Sequence, residues 1–199
     1  VESEASIHEF WFGSETSAAA VAQSRTALWW EKNAEVDAQM RERFAPLVEE
    51  AGAGAYRSWL ARPHGALALV LLTDQFPRNI YRDTPMAFAF DPLALEFARM
   101  AIDAGLDRQL RPIERVFCYL PFEHAETLAD QGRAVDLFTA LHAEVADMDK
   151  ELFAGYLDFA VRHRAVIERF GRFPHRNRIL GRESTTEEIE FLRQPGSSF

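Results

Sequence analysis

The sequence predicts an all-α fold: one domain of about eight to ten helices over residues 1–199, joined by short turns. Three observations carry that prediction. Apolar residues recur at three- and four-residue intervals along most of the chain, N-cap residues or prolines stand where such runs begin, and strand-like alternation is nearly absent. No linker rich in Pro, Gly or Ser divides the chain, and no clean internal repeat is visible.

Taken in order, Ser14 reads as the cap of an alanine-rich helix ending near Asn33, and Asp37 opens a second through Met40, Phe44, Leu47 and Val48 to Gly52. A short helix through Tyr56, Trp59 and Leu60 stops before Pro63. HGALALVLLTDQF, residues 64–76, is apolar on every side and predicts a helix buried all round, with Asp74 at its C-terminal end. Thr84-Pro85 and Asp91-Pro92 are cap-then-proline starts, the second launching a helix closed by Gly105. Pro112 starts another, and Pro121 precedes a helix containing Glu123, Glu126 and Asp130, whose spacing would place all three on one face. A long helix from about Asp149 carries the stripe Leu152, Tyr156, Phe159, Val166, Ile167 and Phe170, with His163 at its centre and facing inward. Ser184, Thr185 or Thr186 caps the last helix, and residues 1–6 and 194–199 are expected to fray.

The 31 acidic against 22 basic side chains give a net charge of −9, which opposes non-specific binding to nucleic acid or to an anionic membrane surface. The longest apolar run, residues 65–72, is far too short to span a bilayer, and the opening VESEAS lacks the features of a signal peptide. A single cysteine, Cys118, excludes an intramolecular disulfide, so a cytoplasmic location is the expectation. The chain has no Walker A or GxGxxG stretch, no GxSxG and no HExxH, so no cofactor, hydrolytic triad or metal site is expected. The aromatic content leaves a dimer open.

Against that acidic background, residues 162–182 hold seven arginines and one acid, Glu168. GRFPHRN, within that segment, has Gly171 to end the helix, Phe173 to anchor the turn and Pro174 to stiffen it, presenting Arg172, His175, Arg176 and Asn177. DQFPRNIYR repeats the idea, with Asp74, Arg78, Asn79 and Arg82 around Phe76-Pro77. Guanidinium groups make bidentate hydrogen bonds to phosphate and carboxylate, so such loops suit an anion. The alternative is that these arginines answer acids elsewhere in the fold, Asp74 clasping Arg78 or Arg82 and the Glu123, Glu126, Asp130 face taking others. Both readings stand on the sequence.

ALALVLLTDQFPRNIYRDTPMAFAFDPLAL, VFCYLPFEHAETLADQ and HRAVIERFGRFPHRNRILGRESTTEEIEFL, with the early FWF, resemble the bacterial family known as domain of unknown function 924 over nearly the whole chain. The resemblance implies an all-helical fold of the tetratricopeptide-like superhelical class and no known activity. Its motif positions are Asp74, Gln75, Arg78, Asn79, Arg82, Glu123, His124, Arg172, His175, Arg176 and Asn177; Thr73 and Cys118 depart from the leucines usual there. Two functions follow as expectations. In one, the three motifs converge on a pocket for a small anion: Arg78 and Arg176 contact it, Asn79 and Asn177 orient it, Asp74 and Glu123 position the arginines, and His124 or His175 handles any proton. In the other, a helical scaffold binds a protein or peptide in a groove, with the polar motifs as internal struts.

Overall fold

The computed structural model describes residues 2–197, and among them every regular element is helical. Helices α1 (Glu4–Phe12), α2 (Ala18–Trp30) and α3 (Ala34–Gly52) begin at Ser3, Ser17 and Asn33, whose side chains accept hydrogen bonds from otherwise orphaned backbone N–H groups. The predicted caps at Ser14 and Asp37 therefore each lie three or four residues off. Helix α1 corrects the expectation of a frayed start: Ser3 and Ser6 form a reciprocal capping box, and Ile7, Trp11 and Phe12 are fully buried. At the other end residues 194–197 are described, with Ser197 donating to the Leu192 carbonyl, while residue 1 and residues 198–199 lie outside the described chain.

The apolar segment forms α4 (Pro63–Val70), a π-helical turn (Leu71–Gln75) and α5 (Phe76–Ile80) in one continuous run. It is packed all round as expected, against α1, α3, α6 (Asp91–Asp103) and α7 (Pro112–Glu123), so it forms the axis of the core. The helix does not end at Asp74. Pro77 has no N–H and its ring would clash with the carbonyl four residues back, and the wider turn before it, closed by Phe76 N–H on the Leu71 carbonyl, relieves that conflict. The Asp74 carbonyl accepts a hydrogen bond from Arg78 Nη1 at 2.5 Å.

Helices α7, α8 (Leu128–Glu144) and α9 (Lys150–Phe170) pack in succession through short links, and α10 (Thr186–Leu192) lies against the Pro174–Arg176 turn. Glu123 ends α7 and Thr127 caps α8, so the predicted single face of Glu123, Glu126 and Asp130 is broken by the His124–Thr127 link. Each acid takes a separate partner: His163, Arg182 and Arg99 respectively. No helix among the described residues is long and apolar enough to cross a membrane.

Candidate functional site

The site is built around the π turn, because that irregularity turns Asp74 toward the end of α7. Asp74 is fully buried; its Oδ1 lies 2.7 Å from His124 Nδ1 and 3.3 Å from Arg78 Nη1, and its Oδ2 accepts from Gln75 Nε2 at 2.5 Å. Burial alone would favour a neutral acid, but the Arg78 charge and the hydrogen bonds from His124 and Gln75 outweigh it and hold the carboxyl well below the usual carboxylate range. His124 is shifted the other way, toward neutrality, by burial and by Arg78, with Asp74 opposing. A neutral His124 donates Nδ1–H to Asp74 and keeps a lone pair on Nε2. That arrangement can accept a proton.

Beside this pair, Arg78 makes a bidentate bridge to Asp91 at 2.8 and 2.9 Å, and Arg176 reaches the same carboxylate at 3.2 Å through Nη1. The Arg176 guanidinium lies 4.7 Å from the Phe88 ring centroid and 4.6 Å from that of Phe173, so two aromatic faces fix its plane. Its Nε finds no acceptor among the described residues. Burial first, and then the neighbouring Arg78 charge, push Arg176 down to about 10. Two guanidinium groups, Arg176 buried and Arg78 partly buried, thus share Asp91.

On the far side of His124, Glu123 Oε1 stands 3.0 Å from His163 Nδ1, which also donates to the Phe159 carbonyl at 2.8 Å. Burial, reinforced by the Asp74 charge, pushes Glu123 up to about 8, while burial pulls His163 down to about 3 against the Phe159 hydrogen bond. Both are neutral near pH 7, so this contact is not an ion pair. Glu123 Oε2 has no hydrogen-bond partner among the described residues.

These groups border two cavities of about 550 Å³ each. The first is the more polar of the two, with Gln75, Arg78, Asn79, Arg82, His175 and Arg176 beside Trp29, Phe88 and Ile179. The second is apolar, walled by Leu120, Phe138, Leu152, Tyr156 and Phe159, with Glu123 at one side. Trp30, His124 and His163 line both.

Of the predicted site residues, Asp74, Arg78, Asn79, Arg82, Glu123, His124, His175 and Arg176 thus come together. Within that group Asn79 and Arg82 are both held by Asp37, at 3.0 Å and at 2.7 and 2.9 Å. Arg172 and Asn177 lie elsewhere. Arg172 binds Glu188 at 2.7 and 2.8 Å, and Asn177 Nδ2 donates to Ser184 Oγ at 3.0 Å, so both tie the GRFPHRN turn to α10. Nor does Glu123 position an arginine, since Asp91 does so. Asp91, Asp37 and His163 were not among the predicted site residues: Asp91 read as a helix start and His163 as a core histidine. The signal for Asp91 was present in FAFDPL, within a resembling motif.

A separate trio, His8, His64 and Glu114, brings ligand atoms within 4.8 Å of one another. Glu114 there already accepts from Arg111 Nε at 2.7 Å, and that neighbouring cation opposes a divalent ion.

Comparison with known proteins places this geometry in a family. The model for a bacterial protein of unknown function (DUF924) matches residues 7–196. The chain belongs to the DUF924 family. A solved structure titled a protein of unknown function, ATU0120 from Agrobacterium tumefaciens, is 41% identical and superposes on the DUF924 chain with a TM-score of 0.73. The match covers 88% of this chain and 98% of that one. No curated protein matches this DUF924 member.

Proposed function

We propose that the polar cavity binds a small anion bearing a phosphate or carboxylate group. The observation that carries this reading is the sharing of Asp91 by two guanidinium groups, the buried Arg176 and the partly buried Arg78. Removing a cation from water is costly unless it is paired, and Arg176 has one carboxylate contact at 3.2 Å and an unpartnered Nε. A second anion in the cavity would add to the single carboxylate that these two cations share. His124, oriented by Asp74, is then the group placed to exchange a proton with whatever is bound.

A thermal-shift screen of phosphate, nucleotides, sugar phosphates and small di- and tricarboxylates tests the reading, using wild type, Arg176→Ala and Arg172→Ala. A ligand specific to the folded state raises the melting temperature by mass action. The expected result is a shift in wild type and Arg172→Ala that is missing in Arg176→Ala. Equal shifts in all three proteins would reject the cavity as the site.

The scaffold reading draws on a different observation, the half-exposed rings of Trp30 and Phe159 beside the apolar cavity. The size of each cavity, about 550 Å³, suits a small molecule better than a length of peptide.

A further inference from the structure

We infer that the ligand is an amphiphile, its anionic head in the polar cavity and an acyl or aryl tail in the apolar one. This rests on the anion reading above and extends it.

The two cavities share Trp30, His124 and His163, so an occupant of one is a single side chain away from the other. Their linings differ in polar content: guanidinium and amide groups stand among Trp29, Phe88 and Ile179 in the first, while aromatic and aliphatic side chains dominate the second. At the boundary, Glu123 and His163 are both neutral near pH 7, so an apolar chain passing them meets no net charge. The hydroxyl of Thr26, another wall residue, is spent on the Ala22 carbonyl of its own helix at 2.7 Å. The other polar side chains of that wall are Glu123, His124, His163 and Tyr156, set among aliphatic and aromatic groups.

Two features show surface left open for an occupant. Trp30 and Phe159 keep 50% and 48% of their surface exposed although they line the apolar cavity. Gly155, also in the lining, stands inside the long helix α9, where glycine weakens a helix relative to alanine. A Cβ there would meet no atom within 4 Å, so tight packing does not explain the glycine. The small residue leaves the cavity mouth wide.

The test is calorimetric titration with straight-chain carboxylates from acetate upward, the matching alkyl phosphates, and neutral alcohols of equal length. Three proteins are compared: wild type, Gly155→Phe, which fills the mouth, and Phe159→Ser, which removes part of the wall. In wild type, affinity is expected to rise about three- to fourfold for each methylene until the apolar cavity is full. In both variants acetate and phosphate should bind as in wild type, while the dependence on chain length flattens. Short anions that bind with no gain from a longer tail would overturn the amphiphile and leave the anion site standing. An unchanged chain-length dependence in both variants would place the tail elsewhere and overturn it too. Alcohols binding as tightly as the acids would reject the anionic head, as would failure of every anion to bind. Binding of peptides with an apolar C-terminal residue, but not of free acids, would overturn it in favour of the scaffold.

Discussion

At the scale of single residues, Glu123 and Asp74 are two buried carboxyl groups pushed in opposite directions by what touches them. Asp74 has Arg78, His124 and Gln75, and stays ionised; Glu123 has a neutral His163 beside one oxygen and, among the described residues, no hydrogen-bond partner on the other. Because Glu123 sits at about 8, above the ordinary carboxyl value, the folded protein holds a proton that the unfolded chain releases. Its contribution to stability is complete below the unfolded value and is lost as pH rises through about 8. Glu123→Gln, which keeps the shape and cannot ionise, should therefore gain stability on wild type by about 1.4 kcal/mol for each pH unit across that window. Urea melts from about pH 5 to about pH 8 check this, and parallel curves for the two proteins would show that Glu123 is ionised in the fold. None of this was readable from FEHAE, because spacing along a chain says nothing about which groups meet it in space.

At the scale of elements, what the sequence disclosed and what it hid divide along local and non-local causes. The buried axis at residues 64–76, the proline start of α7 and the glycine end of α9 were legible, since each follows from side-chain pattern or from one residue's backbone preference. The π turn was not, and the helix was expected to stop at Asp74. Continuing past Pro77 is worthwhile only because the neighbouring helices bury Phe76 and Ile80 completely, and that is a tertiary effect. The same locality supports a paired prediction on α9. Gly171 closes it at φ 68° in the left-handed region, so Gly171→Ala should destabilise by about 1 kcal/mol. Gly155 has helical backbone and open space at Cβ, so Gly155→Ala should stabilise by about 0.5–1 kcal/mol. Chemical denaturation of both variants decides the matter, and two shifts of the same sign would contradict the assignment of the two roles.

At the scale of the whole molecule, an acidic chain folds so that most of its arginines in residues 162–182 are answered by acids: Glu168, Glu187, Glu188 and Glu126 take Arg164, Arg169, Arg172 and Arg182. The compositional anomaly in the sequence was therefore in large part a set of struts. Segments about a hundred residues apart, around Asp74 and Arg176, do meet beside the end of α7, and both of their arginines converge on Asp91. Motif spacing could suggest that meeting but not its third member, because an aspartate before a proline reads first as a helix start. The central claim is that Arg176, and not arginine abundance, makes the anion site. Its most direct test is isothermal titration of inorganic phosphate and acetate, at low ionic strength, into wild type, Arg176→Gln and Arg172→Gln. The account predicts saturable binding in wild type and Arg172→Gln, weakened at least about tenfold in Arg176→Gln, as expected when a charge-assisted hydrogen bond is removed. Binding of equal strength in all three proteins, or in none, would contradict it.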